Sequence, residues 1–231
     1  MISIAYQADD FVIINKPAGI PVQREAETEG VLTLMQSQLN LERLWLVHRL
    51  DKVTSGLLIL ATTEAAASRL SQLFAKREIQ KYYLAVSNKK PKKSQGTVTG
   101  DMHKVRDGKW ALQHSQHNPA TSQFFNCGLT DGLRLFVIKP YTGKTHQIRV
   151  MMKSLGSPIL GDTHYSGTFS DRAYLHAYAL EFEDNGTLLR VTCMPETGEF
   201  FQPNCISNIA DKFLSPWLLD WPKLKIATAR Q

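Results

Sequence analysis

Asp51 lies in the stretch HRLDKVTSG, residues 48–56, between the apolar runs RLWLV and GLLILAT. His48, Arg49, Asp51 and Lys52 followed by Thr54, Ser55 and Gly56 make poor core material, so the stretch is a solvated loop or a site. A carboxylate on a loop between two strands stands at the rim of a sheet. There it can act as nucleophile or base if a cation keeps it ionised. Asp is also a common local capper, and the backbone of Thr54 or Ser55 is within reach of such a role. Arg149, between Ile148 and Val150 in THQIRV, raises the matching question. It is a solvent-facing helix residue or the partner of a carboxylate.

The elements that carry these residues follow from apolar periodicity. FVIIN is a strand stopped by Pro17, Gly19 and Pro21. GVLTLMQSQLN spaces Leu32, Met35 and Leu39 at helical intervals. RLWLVHRL reads as a buried strand entering the Asp51 loop, and GLLILAT as the strand leaving it. TEAAASRLSQLFAKRE is an amphipathic helix with Ala66, Leu70, Leu73 and Phe74 on one face and Thr63 as its cap. IQKYYLAVS is a strand, and NKKPKKS a basic loop. The region GTVTGDMHKVRDGKWALQH reads as irregular with short strands. Asp131-Gly132 marks a hairpin between two β-prone runs. KTHQIRVMMKSLG is a helix starting near Thr145 and ending before Gly156. RAYLHAYALEF and TLLRVTCM close as strands. The pattern predicts one α+β domain with a mixed, largely antiparallel sheet and flanking helices, over residues 1–205. A tail, 206–231, packs back on it through Phe213, Trp217 and Trp221.

The chain has 231 residues, 43% hydrophobic and 21% charged, which argues against disorder. Its apolar runs are too short to span a bilayer, and the N-terminus has no signal-peptide pattern. Three scattered cysteines, Cys127, Cys193 and Cys205, point to reduced thiols in a cytoplasm. Lysine plus arginine total 27 against 21 acids, a net +6 that suits a polyanion. Basic residues crowd Lys81 to Lys109 beside Tyr82, Tyr83 and Trp110, a composition that can grip phosphates and stack on unpaired bases. A Lys-rich solvated loop explains the same composition. No phosphate-binding glycine motif appears. HRLD shares letters with a kinase catalytic loop, but its Asp is one place late. His103, His114, His117 and Cys127 lack metal-ligand spacing, so no metal and no cofactor is expected.

Several motifs together resemble the RluA family of RNA pseudouridine synthases. HRLDKVTSGLLILA resembles the family's active-site motif. VIINKPAGIPVQ, KYYLAV, GKTHQIRVMMKSLGSPILGD and RAYLHAYALEF follow in the family's order, from about residue 10 to 200. The resemblance implies the pseudouridine synthase fold with a central RNA-binding catalytic cleft and no cofactor. It implies that Asp51 is the catalytic carboxylate, that Arg149 pairs with it, and that Tyr83 stacks on a flipped uracil. Arg49 would fill the gap in the RNA stack, and His48 and Thr54 would shape the loop against RNA. Lys81, Lys144, Thr145, His146 and Gln147 would complete the RNA-contacting set. Lys144 stands where the family usually has Arg, and VMMK replaces a His-containing run. No S4-like module fits before residue 10, so target choice is expected from the catalytic domain, residues 88–117 and the tail. The implied partner is a stem-loop of ribosomal or transfer RNA, and the implied state is a monomer. Two rivals remain: a non-catalytic RNA binder using the same cleft, and a glycosidic-bond enzyme with Asp51 and Asp162 as paired carboxylates about 5 Å apart.

Overall fold

The computed structural model describes residues 1–206 and 211–224. The elements run β1 (Ile4–Gln7), β2 (Phe11–Lys16), α1 (Val31–Leu39), β3 (Trp45–Leu46), β4 (Ser55–Ala61), α2 (Glu64–Ala75) and β5 (Gln80–Ser87). Then come β6 (Gln95–Lys104), β7 (Trp110–Gln113), β8 (Ala120–Gly128), β9 (Arg134–Pro140), α3 (Gln147–Ser154), β10 (Leu175–Asp184) and β11 (Thr187–Thr192). The strands form one sheet in the order β1-β2-β4-β10-β5-β9-β8-β6-β7, with β11 added on β10 and β3 on β4. Among the described residues the pairs are antiparallel except β4 with β10, which agrees with the expected mixed, largely antiparallel α+β architecture.

The alternation of side chains explains why β4 is apolar throughout. Leu57, Ile59 and Ala61 face α2, packing with Ala66 and Leu70. Leu58 and Leu60 face the other way, onto Val31 and Met35 of α1. A strand covered on both faces needs an unbroken apolar run. Each such side chain taken from water contributes about 1.5–3 kcal/mol. β5, β8, β9 and α3 enclose a third cluster around Phe136, Ile138, Met152 and Tyr174. Phe213, Trp217 and Trp221 lie against that cluster; the expectation of a packed tail at residues 207–210 and 225–231 falls outside the described residues.

Two local expectations are corrected and a third is sharpened. The strand before the Asp51 loop spans only Trp45–Leu46, because the next residues leave the ladder to carry His48 and Arg49. The segment read as irregular is a ten-residue strand, β6, paired with β7 and β8. Its sequence, QGTVTGDMHK, lacks an apolar run because one side of it faces solvent. The third helix begins at Gln147, after Thr145, with His146 left-handed at its N-cap (φ 58°).

Candidate active site

The Asp51 loop is clamped from three directions. Below it, Lys16 ends the buried strand β2, and its ammonium donates to the carbonyls of Pro17 (2.7 Å), Ile20 (2.8 Å) and Lys52 (3.3 Å). The N–H of Gly19 also donates to the Lys52 carbonyl, at 2.8 Å. Burial first, then Arg172, lowers the Lys16 pKa to about 7. At the loop's entry, His48 stacks on Phe74 with centroids 4.3 Å apart, and its Nε2 accepts from the N–H of Ile59 at 2.9 Å. That bond requires a neutral ring. Burial, with nearby Lys81, holds the His48 pKa down at about 3. At the exit, Arg172 donates to the Ser55 hydroxyl at 2.6 Å, and Ser55 Oγ lies 2.8 Å from His176 Nδ1. The network assigns the ring proton of His176 to Nε2, which donates to the Cys193 carbonyl at 2.9 Å. The buried His176 also has its pKa lowered to about 3, chiefly by burial.

Asp51 is thereby presented to a cleft of about 760 Å³. Its carboxylate meets Arg149 Nη1 at 3.3 Å. Arg149 is 6% exposed, so it is no solvent-facing helix residue. Its guanidinium forms a two-pronged pair with Asp162, Nε to Oδ2 at 2.7 Å and Nη2 to Oδ1 at 2.8 Å, and lies 4.8 Å from the Tyr165 ring centroid. Burial works against the Arg149 charge, but Asp162 and then Asp51 more than offset it, so the guanidinium is held cationic. Asp162 is 3% exposed, with both oxygens on Arg149. The second carboxylate is therefore turned away from the cleft, which removes the basis for a paired-carboxylate glycosidase. Asp51's own carbonyl accepts from Thr54 N–H at 3.0 Å, so the turn is closed by backbone and the carboxylate is left for the cleft.

The other walls come from β5 and from residues 141–147. Tyr83 lines the cleft from β5. Burial, reinforced by Asp51, pushes its phenol pKa up, so the ring is neutral near pH 7 and suited to stacking. His146 places Nε2 4.0 Å from Asp51 Oδ2. Its Nδ1 lies 2.8 Å from the Tyr165 hydroxyl, which in turn accepts from the N–H of Trp110 at 3.0 Å. Burial lowers the His146 pKa, with Asp51 pulling the other way. Gln147 is internal: it donates to the Thr121 carbonyl and Ser122 Oγ and accepts from Thr142 Oγ1 and Lys144 N–H. Lys144 donates to the Asn118 carbonyl. Thr54 is buried under the loop, whereas Arg49 and Thr145 are exposed at the cleft.

Sequence reasoning singled out Asp51, Tyr83 and Arg149, and the structure brings all three to one cleft. It missed Lys16, Tyr165, Arg172 and His176, and weighed Asp162 only as a second acid. The signals were present: a lysine closing an all-apolar strand in VIINK, and an acid between glycine and threonine in LGDTHY. Among the described residues no group of three His, Cys, Asp or Glu is placed to hold a metal. No helix among them is long and apolar enough to cross a membrane.

A family model described as RNA pseudouridylate synthase matches residues 10–154. A Haemophilus influenzae protein named as an uncharacterized RNA pseudouridine synthase is 50% identical over 94% of this chain and 98% of its own length. The dual-specificity RNA pseudouridine synthase RluA of Escherichia coli K12 is 34% identical over 77% of this chain and 84% of its own. Among solved structures, human RNA pseudouridylate synthase domain containing 4 superposes with a TM-score of 0.70 at 28% identity, covering 86% of this chain and 90% of that one. Domain containing 1, at 23% identity, covers 96% and 97% with a TM-score of 0.76 and shares the fold. The chain belongs to the RNA pseudouridylate synthase family, in its RluA branch, and is an isomerase whose substrate is RNA.

Proposed function

We propose that Asp51 is the carboxylate that opens the glycosidic bond of a flipped uridine. The observation that carries this is its placement: an acid at the floor of a cationic cleft, held by an arginine that Asp162 pins from behind. Conversion of uridine to pseudouridine breaks N1–C1′ and makes C5–C1′; C5 loses a proton, N1 gains one, and the atoms balance without a cofactor. Asp51 opens the bond either by attacking the uridine or by taking a sugar proton. The uracil must leave the RNA stack, which costs a few kcal/mol. Tyr83 stacks on the freed base, and Arg49, exposed at the cleft mouth, fills the gap it leaves. The neutral Tyr83 phenol favours the stacking role over proton removal. Thr145, His146 and Lys81 line the path of the strand, while His48, Thr54, Lys144 and Gln147 shape its walls.

The substrate we propose is a stem-loop of ribosomal or transfer RNA, and the dual-specificity naming of the RluA relatives supports more than one target. Residues 1–205 would act as the catalytic domain and 206–231 as a tail upon it, in a cytoplasmic monomer. A non-catalytic RNA binder has less support, because an acid facing into the cleft repels phosphate and serves binding poorly. The test is pseudouridine mapping of total RNA from cells with and without the gene. Signal should vanish at one or a few uridines and return with the wild-type gene but not with Asp51→Asn. Restoration by Asp51→Asn would sink the assignment.

A further inference from the structure

The cleft is lined by the cations Arg49, Lys52, Arg77, Lys81, Lys144 and Arg149 against the acids Glu25 and Asp51. Their charges are not equally matched. Arg149 is bound by two carboxylates, and Lys144 by the Asn118 carbonyl. Arg49 and Lys52 stand exposed on the Asp51 loop. Lys81 is different. It is partly buried on β5, and its ammonium lies 5.9 Å from the Phe74 ring centroid and 3.8 Å from where a Cβ on Gly143 would stand. Among the described residues the Lys81 ammonium has no hydrogen-bond acceptor and no ion-pair partner; the Arg77 guanidinium, exposed at the same part of the cleft and near enough to disfavour the Lys81 charge, has none either. Burial first, and then Arg77, disfavours the Lys81 charge. A half-buried ammonium without an acceptor is costly, and an anion arriving from the cleft would remove that cost.

The surroundings suit a phosphodiester. Gly143 is not in the left-handed region, so the backbone does not demand glycine there. Gly143 borders the Lys81 ammonium, and a Cβ there would make no more than an ordinary van der Waals contact with it. Lys81 and Tyr83 are two residues apart on one strand and share its cleft face, which separates them by about 7 Å. A uracil stacked on Tyr83 leaves its backbone on that scale of distance. We propose that Lys81 and Arg77 form a seat for an RNA phosphate beside the flipped uridine, with Lys144 as a strut of the wall and not a phosphate ligand. The seat rests on the assignment of Asp51 and Tyr83 to the uridine, and it adds Arg77 to the binding surface.

The experiment measures binding of a fluorescent single-stranded oligouridine to the full chain over a range of salt concentrations. Wild type, Lys81→Gln, Lys81→Arg, Arg77→Gln and Lys144→Gln are compared, each with a thermal unfolding control. A cation that neutralises one phosphate of a single strand contributes about 0.7 to the slope of log K against log salt. Lys81→Gln and Arg77→Gln should each lower the slope by about that amount, Lys81→Arg should restore it, and Lys144→Gln should leave it unchanged. Unaltered slopes in both Gln variants at wild-type stability overturn the seat, as does a full slope loss in Lys144→Gln. Asp51→Asn carried in parallel separates the two claims. If it binds the probe with the wild-type slope and forms no pseudouridine, the catalytic reading stands whatever the Lys81 result.

Discussion

At the scale of single residues, the centre of the protein is one guanidinium shared by two acids. Asp162 fixes the Arg149 plane with two parallel bonds, and the remaining Nη1 reaches Asp51. Asp162 is thus read as a positioning residue: it is buried, is not among the residues lining the cleft, and fixes where the arginine points. Removing one member of a buried pair costs about 3–5 kcal/mol where the other is left unmatched, and Arg149, which keeps one contact to Asp51, falls at the lower end. Asp162→Ala should therefore lower the unfolding free energy by that order, read by denaturant titration. Asp162→Asn, which keeps one acceptor oxygen, should fold better yet lose kcat with little change in KM, because Arg149 loses its fixed orientation. An Asp162→Asn enzyme with wild-type kcat would remove the positioning role. The Asp51 and Arg149 pairing was foreseeable from motif resemblance, but the partnership with Asp162 was not. The two residues are 13 positions apart across an irregular loop, and nothing in the spacing fixes how that loop returns.

The elements explain why the loop holds its shape. β4 leaves the loop at Ser55 and Gly56, where it pairs in parallel with His176 and Ala177 of β10. Gly56 has φ +108°, and a Cβ there would run into the backbone of Ala177. Gly56→Ala combines strain with a clash against main chain and should cost at least about 1–3 kcal/mol, seen as a lower Tm. His176, in the same joint, is buried and neutral with its pKa lowered from 6.5 to about 3. Once the chain unfolds, the ring takes a proton readily below pH 6.5, so acid favours the unfolded state. Its contribution is whole above about pH 6.5 and is lost as pH falls toward 3, with a slope approaching about 1.4 kcal/mol per pH unit. A Tm-against-pH series should show a shallower acid limb in His176→Asn than in wild type; parallel limbs would contradict the neutral buried ring. Elements with a strong period, β2, β4, α2 and β5, were legible because burial on one or both faces dictates their composition. β6 was not, since its half-exposed sequence carries no apolar run and it is held by ladder bonds to β8 and β7.

The whole molecule is an extended mixed sheet whose central strands, β4, β10 and β5, bring the Asp51 loop, its supporting network and Tyr83 to one cleft. The net charge of +6 suits a polyanion such as RNA, and on the proposed reading the cations at the cleft mouth would hold the strand while the base is turned. The overall class was legible because five motifs occur in a family's order; the lines of support behind them, from Lys16, Arg172 and His176, became visible only when residues 36 to 121 positions apart were brought into contact. The central claim is that Asp51 makes and breaks the bonds. Its most direct test uses RNA labelled with tritium at uracil C5, prepared from cells lacking the gene, and purified wild-type or Asp51→Asn protein. Joining C5 to C1′ releases the C5 hydrogen to water. Wild type should release tritium and Asp51→Asn none, at equal RNA binding and equal Tm. Release by Asp51→Asn at the wild-type rate would contradict the account.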